Sequence, residues 1–343
     1  MATAESTRAA SNSNGLLALL SPIAPELARV EAALGQQTSE FHEGVQAYVD
    51  YVLGGTGKRL RPSLALLAGG ATGAISAGHI TLGVIVELIH VATLVHDDVL
   101  DEADLRHGLE TSNSRWGNDI SVLLGDCLFA HSLKLAASYP TPEICRRISE
   151  ATNTVCSGEI LQNRRRFDLD LTREEYTTIL SMKTGALFAV SCELGAYLNG
   201  ASIERVEALK DFGANLGIAY QIYDDCVDIF GQERKAGKSL GTDMKKGKLT
   251  LPFLLLLEHA QADRRQQIGA HIFHGNETQR RALHAEIMAN GVVGESFAAI
   301  QDYIRRATVN LEMIPDNGHR RTLAGLLDFL SEQSRRLLNG AAA

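Results

Sequence analysis

The pattern D-D-x-x-D occurs twice in this chain, as Asp97-Asp98-Val99-Leu100-Asp101 and as Asp224-Asp225-Cys226-Val227-Asp228, each time closing an apolar helical run. On a helix, residues four apart share a face, so Asp97 lies beside Asp101 and Asp224 beside Asp228. Two carboxylates about 4 Å apart repel by about 4 kcal/mol at an effective dielectric near 20. A chain that does this twice in apolar surroundings needs cations to offset the repulsion. Solvated helix faces would account for one such cluster, but two identical ones argue against that. Hard divalent ions with oxygen ligands are the natural counter-charge, and Mg²⁺ in particular takes one or two carboxylates together with substrate phosphates. Calcium loops of the EF-hand type fit poorly, because neither cluster has the loop spacing or a Gly at the sixth position.

The rest of the chain reads at a helical period. Leu64 to Ala68, Leu82 to Val95 and Ile218 to Ile229 are apolar with polar residues every three or four positions. Thr141-Pro142-Glu143 predicts a capped helix start with Pro in the first turn. Thr172 with Glu175, and Asn276 with Gln279, have capping-box spacing. Breaks are expected at Gly54 to Gly57, Gly69 to Gly78, Tyr139 to Pro142, Asn199 to Ser202, Gly231 to Gly247 and Ile314 to Gly318. Strand-like alternation is scarce, and only seven Pro in 343 residues leave room for long helices. The expected fold is an all-α bundle. With no linker-like segment and no internal repeat, a disordered tail over 1–15 is expected before a single domain over 16–343.

Composition narrows the function classes. A formal net charge of −8 argues against nucleic acid as the main partner. Five scattered Cys without C-x-x-C spacing predict free thiols rather than disulfides or structural zinc. The N-terminus lacks the order of a secretory signal. The run from Ile80 to Val95, interrupted by Glu87 and His90, is read as too short and too polar to span a bilayer. The expectation is a cytoplasmic protein with no stable membrane insertion.

Cations follow the acidic clusters closely. Gly57-Lys58-Arg59-Leu60-Arg61-Pro62 places three positive charges in a Gly-rich turn before a helix, a setting suited to phosphate. It is not a Walker A loop, since the spacing is absent. Arg106 follows the first cluster and is free to pair with Asp101 or Glu102 on its own segment. Lys183-Thr184, Lys238 and Lys248 come later. Glu87 and His90 are candidates for satisfied polar residues of the core.

Taken in order, these segments resemble the trans-isoprenyl (polyprenyl) diphosphate synthases. The anchors are Gly57 to Pro62, Glu87 to His90, Leu94 to Gly108, Gly158 to Gln162, Lys183 to Gly185, Tyr220 to Asp228, and Gly237 to Pro252. The resemblance implies an isoprenoid-synthase-type helical bundle around a central cavity, usually a homodimer. It implies that Asp97, Asp98, Asp101, Asp224, Asp225 and Asp228 hold Mg²⁺, three ions to a site, on the diphosphate of an allylic substrate. Asp97, Asp101 and Asp224 are the expected direct ligands. Arg106, Lys183 and Lys238 would face the same diphosphate, with Thr184 and Gln221 at the reacting end, and Lys248 would be a further substrate-binding residue. Lys58, Arg61 and His90 would hold isopentenyl diphosphate, with Arg59 either sharing this task or facing solvent. The implied reaction is a 1′-4 condensation that releases pyrophosphate.

Two departures stand out. The family pattern Arg-Arg-Gly reads Arg106-His107-Gly108 here, which places a titratable His107 where the isopentenyl diphosphate site usually has an Arg. Ala92 and Thr93, one turn before Asp97, are small where short-chain members carry a bulky aromatic, and the first motif lacks a two-residue insertion. Both features imply a long-chain, all-trans product. Ile89, Leu128 and Phe129 are alternative floors for a shorter geranylgeranyl or farnesyl product. A class I terpene cyclase would not need the second D-D-x-x-D or Lys58 and Arg61. A non-catalytic partner subunit usually lacks the aspartates kept here.

Overall fold

The computed structural model describes residues 15–55, 57–106, 108–231 and 242–341. Thr56, His107 and Lys238, and residues 1–14 of the expected tail, lie outside the described residues. The longer helices are α1 (Ala24–Gln37), α2 (Glu43–Leu53), α3 (Leu60–Thr72), α4 (Ala77–Leu100), α5 (Asn118–Ala137), α6 (Pro142–Arg164) and α7 (Arg173–Leu180). A π-helical stretch, Ser181–Gly185, joins α7 to α8 (Ala186–Tyr197). The remainder are α9 (Ile203–Phe230), α10 (Leu251–His259), α11 (Ala262–His274), α12 (Glu277–Ala289), α13 (Val292–Asn310) and α14 (Gly318–Ala341). A two-residue antiparallel pair, β1 (Leu105–Arg106) with β2 (Leu109–Glu110), forms the one sheet among the described residues. The all-α expectation holds.

The expected caps form. Thr141 accepts from the Glu143 N–H, and both Thr172/Glu175 and Asn276/Gln279 close reciprocal capping boxes. Each satisfies donors that a helix start leaves open. One predicted break is displaced. Gly69 and Gly70 lie inside α3, which runs on to Thr72. Their missing side chains make room for neighbours, since a Cβ on Gly69 would strike the His79 ring and one on Gly70 the His319 ring. The break comes at 73–76.

Helix α8 sits in the middle, packed against α3, α4, α6 and α9. Its face is so close to α3 that a Cβ on Gly195 would run into the carbonyl of Ala65. α4 is flanked by α1, α3 and α5, and α9 by α8, α13 and α14. The two helices carrying the aspartate clusters are therefore core elements held in one frame. α4 is longer than the apolar run suggested. At 24 residues it is long and apolar enough to cross a membrane by length and composition, which corrects the expectation of a segment too short to do so. What marks it as a core helix is packing: 72% of its apolar window is buried inside the protein. The windows at Asn118–Ala137 and Arg173–Tyr197 meet the same criterion, with 39% and 78% buried.

The close approach of α8 to α3 yields a prediction. Gly195→Ala must push two backbones apart and is expected to cost about 1–3 kcal/mol of stability, read as a lower denaturation midpoint in urea.

Candidate active site

The first cluster closes α4 in a Schellman arrangement. Glu102 adopts left-handed φ of 48°, its N–H bonds the Val99 carbonyl at 3.2 Å, and the Ala103 N–H bonds the Asp98 carbonyl at 2.9 Å. Such a cap reverses the chain at the helix end. The β1–β2 hairpin then brings Arg106 back over the helix. Its Nε and Nη2 fork onto Asp98, at 2.8 to 3.1 Å. This is the short bidentate geometry of a strong charge-assisted pair. Arg106 thus engages Asp98, rather than Asp101 or Glu102 as the sequence had left open.

Asp101 is gripped from elsewhere. Arg166 reaches it at 2.8 Å, Lys248 bonds both carboxylate oxygens at 3.0 Å, and Lys246 lies at 3.2 Å. Burial alone would raise this carboxyl, but Lys248 and Lys246 overcome it and hold Asp101 below the usual carboxylate range. Asp97 goes the other way. Burial raises it, Lys183 opposes and Glu159 adds to the rise. Lys183 lies 3.9 Å from Asp97, pairs closely with Glu159 and donates to Gln162 at 2.9 Å.

The second cluster is organised by hydrogen bonds. The Thr184 hydroxyl donates to Gln221 Oε1 at 2.8 Å, and Gln221 Nε2 donates to Asp225 Oδ1 at 2.9 Å. The buried Tyr176 hydroxyl donates to Asp225 Oδ2 at 2.6 Å. Two donors favour the anion, but complete burial outweighs them and pushes Asp225 up to about 7. The Asp243 N–H donates to Asp228 Oδ2 at 3.3 Å.

Two connections bring the clusters together. Lys183 and Thr184 are adjacent, yet the first reaches Asp97 and the second, through Gln221, reaches Asp225. The segment 243–248 does the same, with Asp243 on Asp228 and Lys246 and Lys248 on Asp101. The π-helical geometry at Ser181–Gly185, which often marks functional sites, shapes the first connection. Among the described residues no three His, Cys, Asp or Glu side chains already converge as a metal cluster. The donor set nevertheless suits a hard divalent cation, being carboxylate oxygen throughout. Asp98 is held by Arg106, Asp225 by Tyr176 and Gln221, and Asp101 by Arg166, Lys246 and Lys248.

The Gly-rich turn lies at the start of α3. Lys58 is exposed. Arg61 packs its guanidinium on the Phe188 ring, 5.0 Å from the centroid, and its buried Nε has no partner. An orphaned charged donor of this kind fits an anionic oxygen. Burial, with Arg61, Arg106 and Arg59 nearby, holds the His90 imidazole well below its ordinary pKa and therefore neutral. Arg59 neither faces solvent nor stands free. It pairs with Glu31 and Glu87. Ala92 is fully buried, and the Thr93 hydroxyl bonds the His90 carbonyl at 2.7 Å. Sequence reasoning missed Arg166, Lys246, Tyr176 and Glu31. Of these only Lys246, two residues before Lys248, had a local signal.

This geometry meets its match among known proteins. A family model described as polyprenyl synthetase matches residues 42–289. The octaprenyl diphosphate synthase of Escherichia coli is 33% identical over 315 residues, covering 91% of this chain and 97% of that protein. The crystal structure of a decaprenyl diphosphate synthase from Rhodobacter capsulatus superposes with a TM-score of 0.88 at 32% identity, covering 93% of this chain and 99% of that one. The crystal structure of a polyprenyl synthase from Caulobacter crescentus, complexed with calcium and isoprenyl diphosphate, gives 0.85 at 32% identity over 93% and 97%. The chain belongs to the polyprenyl synthetase family. It is an enzyme, a trans-polyprenyl diphosphate synthase.

Asp225 provides a pH test on metal-free protein. Its folded pKa is raised above the unfolded value of about 3.9, so the unfolded chain releases this proton first. Its contribution to stability is then lost as pH rises from about 4 through about 7. In urea titrations, Asp225→Asn is expected to gain on the wild type across that window and level off above it.

Proposed function

We propose that this synthase condenses isopentenyl diphosphate with an allylic diphosphate, 1′-4, to give a long-chain all-trans polyprenyl diphosphate with release of pyrophosphate. The observation that carries this reading is the linkage of both aspartate clusters through Lys183–Thr184 and through the 243–248 segment. Asp97, Asp101 and Asp224 would hold Mg²⁺, three ions by analogy with the family. When bound, the metal supplies charge neutralisation for the departing pyrophosphate. The calcium and isoprenyl diphosphate bound to the Caulobacter crescentus relative support a divalent ion and such a ligand here.

The chain's own residues divide the remaining work. Arg106, Lys183 and Lys248 offer cationic donors where negative charge develops on the leaving group. Thr184 and Gln221, fixed to each other by a hydrogen bond, would line the reacting end. Lys58, Arg61 and neutral His90 would orient isopentenyl diphosphate so that its C4 meets C1 of the allylic partner. Burial of the site excludes water from the allylic cation. The proton lost at the end passes to the released pyrophosphate, so no protein nucleophile is required. Lys238 and His107 belong to this reading through the family resemblance.

Long-chain product rests on Ala92. It is fully buried on α4, five residues before Asp97, at the place where the family resemblance puts a bulky aromatic in short-chain members. The names of the octaprenyl and decaprenyl relatives support the same length class. A second copy of the chain is the proposed occupant of α5. This helix buries only 39% of its apolar window and exposes Val122, Leu123, Cys127 and Ala130. The five free cysteines suit a reducing cytosol.

Purified protein incubated with Mg²⁺, labelled isopentenyl diphosphate and farnesyl diphosphate should yield a ladder ending in a long polyprenyl diphosphate. Absence of product without a second protein would sink the reading of an autonomous enzyme. Ala92→Phe is expected to shift the ladder to shorter products while the first condensation persists, as sized by chromatography of the extracted prenols. Leu123→Glu is expected to convert a dimer into a monomer in light scattering. Recruitment of the wild type to liposomes, lost in this variant, would instead assign the α5 face to a membrane.

A further inference from the structure

Of the three cations in the Gly-rich turn, Arg59 alone is fully engaged with protein. Its Nε lies 2.5 Å from Glu31 Oε1 and its Nη2 3.3 Å from Glu31 Oε2. Nη1 donates to Glu87 Oε1 at 2.7 Å, and Nη2 donates to the Gly55 carbonyl at 3.0 Å. One guanidinium thus ties together α1, the turn and the middle of α4. Arg59 also takes left-handed backbone angles, φ 47° and ψ 37°, at the N-cap of α3. That conformation is unfavourable for a residue with a Cβ and persists where its surroundings impose it. The Arg59 carbonyl accepts both the N–H and the hydroxyl of Ser63, at 3.0 and 2.8 Å.

From this geometry we infer that Arg59 is a positioning residue for the isopentenyl diphosphate site, acting with Glu31 and Glu87 rather than on the ligand. The inference rests on the assignment of that site to Lys58, Arg61 and His90. The left-handed turn at 59 sends Lys58 outward to solvent and Arg61 inward onto Phe188. Glu87 lies one helical turn before His90, so the same clamp sets the distance between the turn and the imidazole. Releasing the fork lets residue 59 relax toward ordinary angles, which rotates the peptide planes on either side and misdirects both cations together. The clamp also makes α1, remote in sequence from every motif, part of the site. Glu31 is 46% exposed and borders a cavity of about 430 Å³ beside α2, so its substitution is mild for the fold.

Steady-state kinetics with isopentenyl diphosphate and farnesyl diphosphate decide the matter, using Glu31→Ala and Arg59→Lys, with Lys58→Ala as control. Lys keeps the charge but cannot fork between two carboxylates. Both test variants are expected to raise KM for isopentenyl diphosphate about tenfold, the effect of weakening one charge-assisted hydrogen bond to its diphosphate. The KM for farnesyl diphosphate and kcat should stay within about twofold, and Glu31→Gln should recover part of the loss. Normal kinetics in Glu31→Ala would overturn the inference, because a direct ligand at Arg59 does not need Glu31. A fall in thermal midpoint with unchanged KM would also overturn it, by making the clamp structural only. If Lys58→Ala leaves the same KM unmoved, the site assignment itself falls and takes the positioning role with it. If Lys58→Ala raises it while the other two do not, the positioning role alone falls.

Discussion

Carboxylates buried at the ends of two core helices impose the rest of this architecture. An ion taken from water must be paired, and leaving one unpaired costs several kcal/mol. The chain answers by delivering cations from separate segments to Asp97, Asp98 and Asp101. A hairpin carries Arg106, the turn after α6 carries Arg166, and the segment before α10 carries Lys246 and Lys248. The middle aspartates of the two motifs are held differently. Asp225 is buried against a phenol and an amide, neither of them charged. The two motifs read identically as letters, yet Asp98 is met by a guanidinium and Asp225 by these neutral donors.

This asymmetry bears on how charge is shared. Arg106 and Lys248 neutralise aspartates and are also the groups best suited to phosphate oxygens. A polyanion entering here would meet positive groups that are already oriented. Asp98 and Asp225, each second in its motif, act as fixed posts that hold Arg106 and Gln221 in place.

Much of this was legible in the sequence, and for physical reasons. Caps such as Thr172/Glu175 and Asn276/Gln279 are local, so four residues suffice to predict them, and they form as expected. The hydrogen bond from Thr184 to Gln221 joins two residues that only the family resemblance had grouped. What was not legible depends on contacts between distant segments. Gly69 and Gly70 look like punctuation, but they are there to admit His79 and His319. Arg59 looks like its neighbours in composition, yet partners 28 residues away on either side decide its role. Arg166 lies in a run of three arginines with nothing local to show that only this one reaches Asp101. Lys238 and His107 lie outside the described residues, and their roles rest on the family pattern.

The π-helical turn at Ser181–Gly185 has a mechanical consequence. Because Lys183 and Thr184 are covalent neighbours, one short stretch of backbone serves as an axle common to both halves of the site. Through this one peptide the Lys183 side faces Asp97 on α4 and the Thr184 side is hydrogen-bonded to Gln221 on α9. A shift of this backbone is therefore felt by both halves. For a polyprenyl diphosphate synthase, such a shared stretch of backbone would keep the two halves in one register.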